Sequence, residues 1–231
     1  MTQRTIHRRC AAFLAIGAML ALAMPSTAQA APQLADLDVK QSMSVKASNG
    51  ESLEGKDLHA IQLATYTAAS VDDNTIVGYD LTTNTALTSD ITAAAKTAGA
   101  TDANLTVNGK NDPMVWVVKN LTDSRSDPWS GKLRNFCNSL AKQTNFAKQE
   151  GTAVATLSQD KTTMSTGNVL VPGIYAIVDR TPATTTPSSG TAAKTTASIM
   201  MMNGTAVNGI SQLRTANGTT LTLGQVIYKV S

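Results

Sequence analysis

The sequence predicts a mainly β fold into which a few short helices are inserted, and three observations carry that prediction. Threonine supplies 33 of the 231 residues, Ala, Ser, Asn and Gly are abundant, and aromatic residues make up only 4%. That composition suits pleated strands and turns better than a helical bundle. Several segments alternate side chains with the period of two expected of strands with one buried face. Helical spacing is confined to the middle of the chain, where two Asp-Pro pairs supply start signals.

The chain opens with a stretch that reads as a secretory signal peptide over residues 1–30. Arg4, Arg8 and Arg9 precede an apolar run from residue 10 to 24, then Pro25 and the small-residue triplet Ala28-Gln29-Ala30, after which cleavage is expected. The run is shorter than the roughly 20 residues that cross a bilayer, and no later segment approaches that length. No transmembrane segment is expected in the mature chain. Removing the leader leaves sixteen Lys plus Arg against sixteen Asp plus Glu, so the mature chain is formally neutral. Its charge gives no support to nucleic acid as a partner. Residues 31–231 are enough for one large domain. Cys10 leaves with the leader, so Cys137 is alone and no intramolecular disulfide is expected.

Residues 39–47 read as the first strand, with Val39, Gln41, Met43, Val45 and Ala47 on one side and Asn49-Gly50 as its end. Residues 59–66 and 75–81 follow, joined by the polar turn Asp72-Asp73-Asn74, and together predict a hairpin. A helical insert spans about residues 89–145. Thr88 or Ser89 is the expected cap of an Ala-rich helix ending at Gly99, and Asp112-Pro113 and Asp127-Pro128 each begin another. In the last, Trp129, Leu133, Phe136, Cys137 and Leu140 form one apolar stripe. Strands return at residues 152–157 and at residues 173–179, the latter entered through Pro172-Gly173. Residues 181–196, rich in Thr, Pro, Ser and Gly, read as a flexible loop, and strands near 197–202 and 219–230 close the chain. No internal repeat is present.

Few residues offer chemistry. Only His59 survives loss of the leader, which excludes sites built on paired histidines, and the spacing of a Cys-x-x-Cys metal centre is absent. Cys137 beside His59 would make a thiol nucleophile and base, but Cys137 falls inside an apolar stripe, the setting of a small core hydrophobe. Neither a Gly-x-Ser-x-Gly elbow nor a phosphate-cradling Gly-rich loop appears. Asp72-Asp73-Asn74 lacks the spaced oxygen ligands of a calcium loop and reads as a turn. No enzymatic activity is expected.

The order of elements resembles the N-terminal domain of the shaft pilins of high-GC Gram-positive bacteria, the sortase-assembled fimbrial major subunits. The likeness runs from residue 38 to residue 230 through a strand His-Ala-Ile-Gln-Leu-Ala-Thr-Tyr, a helical insert, Val-Pro-Gly-Ile-Tyr-Ala-Ile-Val-Asp and a closing Gln-Val-Ile-Tyr-Lys-Val. It implies an immunoglobulin-like β-sandwich with inserted short helices, no cofactor, and a secreted or cell-surface structural role in pilus assembly and adhesion. The implied partners are other pilin subunits, a pilin-class sortase, and host surface glycans or matrix proteins. In the family a lysine of a Tyr-Pro-Lys motif accepts the next subunit. Its counterpart here is Lys229, although Val226-Ile227-Tyr228-Lys229 has no proline before the lysine. Family domains also carry internal Lys-Asn isopeptide bonds assisted by a buried acid. Asp179 matches the acid and Lys40 or Lys46 the amine, while residues 225–231 hold no Asn to complete the bond. The Leu-Pro-x-Thr-Gly sorting signal of shaft pilins does not occur before Ser231, which implies either a truncated pilin or a freely secreted protein. The alternative reading is a secreted adhesin or carbohydrate-binding β-sandwich that sortase does not polymerise.

Overall fold

The computed structural model describes residues 31–121, 131–182, 201–215 and 218–228. Strand β1 (Gln33–Leu34) is followed by β2 (Ser44–Ala47). The predicted alternation holds along this segment, since Gln41, Met43, Val45 and Ala47 are buried while Val39 is exposed. The regular ladder is shorter than expected because residue 41 pairs singly with Leu170 and the amide of Met43 turns to the Thr166 hydroxyl.

The predicted hairpin is β3 (Leu58–Asp72) and β4 (Thr75–Thr83). Asp73 and Asn74 both take positive φ, 43° and 57°, between the paired Asp72 and Thr75. Two consecutive left-handed residues make the tight turn whose twist matches a hairpin, so the acidic run is a turn. After it a 3-10 turn (Thr85–Leu87) leads into α1 (Thr88–Thr97). The capping acceptor is Asn84, whose Oδ1 takes the Ala86 amide at 3.1 Å, and neither Thr88 nor Ser89 caps the helix. The sequence reading failed there because the preceding 3-10 turn moved the start upstream.

A second hairpin, β5 (Thr106–Val107) and β6 (Lys110–Asn111), turns on Asn108 and Gly109 at φ 50° and 75°. Helix α2 (Pro113–Asn120) starts on its proline with Asp112 at the N-cap position, as predicted, but the Asp112 side chain makes no capping hydrogen bond. Its Oδ1 accepts the Thr83 amide at 2.9 Å and the Thr83 hydroxyl at 2.5 Å, while Thr83 Oγ1 accepts the Met114 amide at 3.0 Å. A buried strand residue thus caps the helix and ties it to β4. Helix α3 (Lys132–Leu140) buries Phe136, Cys137 and Leu140, and α4 (Thr144–Ala147) follows. Asp127-Pro128 and Trp129 lie outside the described residues.

The strand expected over residues 152–157 is two: β7 (Thr152–Ala153) pairs with β3, and β8 (Thr156–Leu157) with β9 (Thr163–Ser165). Between them Val154 donates its amide to Leu58 and buries its side chain, so the chain changes sheets there. Strand β10 (Gly173–Asp179) matches the prediction, and its first residue must be glycine. A Cβ at Gly173 would stand 2.1 Å from the Ala64 carbonyl oxygen. Of the predicted loop, residues 183–196 are outside the described set, and of the next strand only its end is described, within β11 (Met201–Gly204). Then come β12 (Gln212–Arg214), β13 (Thr220–Thr222) and β14 (Gln225–Tyr228). The single closing strand expected over 219–230 is broken by Gly224 at φ 77°.

The fold is mainly β, with two mixed sheets and a few short helices. The larger sheet runs β11-β10-β3-β4-β12-β13, with β1 and β7 added to the long β3; the smaller runs β14-β2-β9-β8. Two ladders are parallel, β4 with β12 and β2 with β14. Each strand of the larger sheet sends alternate side chains to opposite faces, and two cores result. Ile61, Leu63, Ile174 and Ala176 pack with the helices around Ile91, Met114, Val117 and Phe136. Leu58, Ala60, Tyr175 and Ile177 pack with Met43, Val45, Met164, Val226 and Tyr228 of the smaller sheet.

Candidate functional site

Of the residues singled out by sequence, Asp179 stands at the end of β10. Tyr175 and Ile177 face the smaller sheet, so Asp179, next in the same alternation, arrives at the rim of that core and is only 7% exposed. On β14 the same rule buries Val226 and Tyr228 and exposes Gln225 and Ile227. The Tyr228 hydroxyl therefore reaches the Asp179 carboxylate and donates to Oδ2. The Thr181 amide donates to Oδ1 at 2.8 Å. Lys56 Nζ stands 3.8 Å from Oδ2 and 5.4 Å from the centre of the Tyr228 ring.

Burial alone pushes the Asp179 carboxyl up. The hydrogen bonds from Thr181 and Tyr228, with the nearby Lys56 ammonium, outweigh it and hold the group below the usual carboxylate range. Tyr228 is pushed the other way, first by burial and then by the hydrogen bond to Asp179 and its negative charge. The pair is thus a carboxylate and a neutral phenol over the whole neutral range. A carboxylate held in its charged form by several donors is a weak proton acceptor, and the arrangement is suited to joining β10, β14 and the turn before β3.

Neither lysine expected as the amine partner is brought here. Lys40 is exposed ahead of β2, and Lys46 is exposed on β2 between buried Val45 and Ala47, so it points away from the core that holds Tyr228. The amine beside Asp179 is that of Lys56. Sequence reasoning missed Lys56 because it sits in the Gly55-Lys56-Asp57 turn, outside any periodic segment. The antiparallel register that sets Asp179 opposite Leu58 is what brings it close. Lys229 lies outside the described residues; β14, which leads to it, is the end strand of the smaller sheet.

His59 Nε2 is 2.8 Å from Asp57 Oδ1, on the strand start beside the same corner. Cys137 is buried in the helix-side core with Phe136 and Leu140, the setting of a packing residue. Among the described residues no group of three His, Cys, Asp or Glu is placed to hold a metal ion. Comparison with protein-family models, with curated proteins and with solved structures gives no match to this chain.

Proposed function

We propose that this chain is a secreted or cell-surface structural protein that works as a building unit of a sortase-assembled fimbrial shaft, in the manner of a shaft pilin's first domain. The observation that carries the reading is the parallel pairing of β2 with β14, Gln225 opposite Ser44 through Tyr228 opposite Ala47. In a parallel pair the chain enters one strand and leaves the other at opposite ends. Tension applied between the two ends of the domain then runs along the strands and must shear all the ladder bonds together. An antiparallel pair pulled from its adjacent ends opens one bond at a time. Beyond the four paired positions, the Ser44 amide bonds the Gly224 carbonyl and the Ser48 amide the Tyr228 carbonyl, both at 2.8 Å. Tyr228 adds the side-chain tie to Asp179 behind the same ladder.

The smaller sheet sharing a core with one face of the larger is in keeping with an immunoglobulin-like sandwich into which the helices are inserted. The leader reading places the work outside the cytoplasm, with other subunits and a pilin-class sortase as partners. An acceptor lysine must be reachable by an acyl-enzyme thioester, and Lys229 follows directly on an end strand. The test is to incubate the purified mature chain with a pilin-class sortase and a sorting-signal peptide. A covalent adduct that disappears in Lys229→Ala is expected. No adduct in either protein removes the polymerisation claim.

A further inference from the structure

A groove of about 510 Å³ lies where β4, the β5–β6 hairpin and α2 come together, a size within the roughly 300–1,000 Å³ typical of small-molecule sites. Its lining combines one aromatic ring, Tyr79, with Asp80, Asn108, Lys110 and Asp112 and the apolar wall of Val115 and Val118. We infer that this groove is a binding site for a neutral saccharide, with Tyr79 beneath the apolar face of a sugar ring and Asp80, Asn108 and Asp112 around its hydroxyls.

Four features argue for that ligand class. The Tyr79 ring is half-buried and braced by buried Tyr66, the two ring centres 5.1 Å apart and tilted by 54°. A fixed, partly open aromatic face is a surface on which a ring bearing C–H groups packs. The polar groups include acceptors (Asp80, Asp112), a donor (Lys110) and an amide that does both (Asn108), which matches hydroxyls that donate and accept at once. The Asp112 bonds to Thr83 use only Oδ1, and the exposed Asp80 side chain has no hydrogen bond among the described residues. The walls are held in place beforehand by the Asn108-Gly109 turn and by the Asp112–Thr83 relay, so little ordering is needed on binding.

The same lining disfavours other ligands. Two carboxylates face one lysine, a poor setting for a phosphate or an acidic sugar. An extended peptide would need a length of open strand edge. The edge of β4 is met by β12 at Ile76 and by Asp112 at the Thr83 amide, so an added strand would be stopped at both ends. This site is separate from the β2–β14 ladder and from Lys229, so it stands or falls independently of the assembly proposal.

The test is ligand-observed saturation-transfer NMR on the mature chain, with glucose, galactose, mannose, N-acetylglucosamine and their β-1,4-linked disaccharides, and with sialic acid as the acidic probe. At least one neutral sugar is expected to bind, with affinity reduced tenfold or more in Asp80→Ala, an exposed position whose change leaves folding intact. Tyr79→Ala, checked for folding by circular dichroism, is expected to abolish the signal. No transfer from any neutral sugar at about 10 mM, ten times a weak ~1 mM dissociation constant, overturns the inference. So does binding confined to sialic acid, or neutral-sugar binding that survives Asp80→Ala unchanged.

Discussion

Replacing Tyr228 by Phe removes one hydroxyl and leaves the ring in the core, so the loss reports on the bond to Asp179. That bond joins a buried carboxylate to a buried phenol across the β10–β14 boundary. Hydrogen bonds to charged groups contribute about 1.5–3 kcal/mol, and the variant removes this one while Lys56 Nζ stays 3.8 Å from the carboxylate. We expect Tyr228→Phe to lose about 2 kcal/mol at pH 7, a fall in Tm of roughly 4–8 °C for a domain of this size. The pH dependence is a second signature. Asp179 is held below its unfolded pKa, so its contribution to stability is complete above the unfolded value near about 4 and is lost as pH falls from there through the lower folded value. Removing the Tyr228 donor reduces that depression, so the wild type's advantage over Tyr228→Phe shrinks on acidification. Urea titrations at pH 7 and over the range below about pH 4 measure both. A variant within about 0.5 kcal/mol of wild type at pH 7, or a difference that does not change with acidification, refutes the reasoning.

Other positions make equally direct tests. Asp90, 6% exposed on α1, accepts the Phe146 amide at 2.8 Å and the Asn145 side chain at 3.0 Å; Asp90→Ala orphans that buried amide and should cost about 2–3 kcal/mol in urea unfolding. Thr83→Val keeps the shape but breaks the relay between β4 and α2, and a loss of about 1–2 kcal/mol is expected by the same measurement. Among the described residues the buried Tyr66 hydroxyl has no hydrogen-bond partner, so Tyr66→Phe should be neutral or stabilising by up to about 1 kcal/mol. A Cβ at Gly204 would lie 2.2 Å from that hydroxyl oxygen; Gly204→Ala should therefore be strongly destabilising alone and partly rescued by Tyr66→Phe, with a coupling of about 1 kcal/mol or more in a double-mutant cycle.

The strands whose pattern is set by burial were readable in the sequence. Residues 173–179 emerge as a continuous apolar run behind Pro172-Gly173, buried on both faces, and the alternation from Gln41 to Ala47 emerges because a period of two records which face meets a core. The Asp73-Asn74 turn was readable for a local reason, since those residue types tolerate positive φ. The misreadings share a cause: the deciding partner is distant in sequence. Thr83, 31 residues before the Met114 amide, replaces the Asp112 side chain as the capping acceptor of α2, and Asn84 captures the start of α1 through a 3-10 turn. Short strands such as β9 and β12 carry too few residues for any period to register. At the candidate site Asp179 was identifiable from its place in a strand, whereas Lys56 was not, because only the β3–β10 register brings a turn lysine to it.

Pulling single molecules by their two ends, and comparing the unfolding force with that found when the second attachment is moved to the Asp73 turn, tests the mechanical claim most directly. The move uses Asp73→Cys in a Cys137→Ala background, with a terminally tethered Cys137→Ala chain as reference. Gln33 pairs beside that turn with Val71, so the moved geometry peels a short strand, while the terminal geometry shears the parallel β2–β14 ladder. A clearly higher force from the ends is the predicted result; equal forces, or a lower one from the ends, contradict the account.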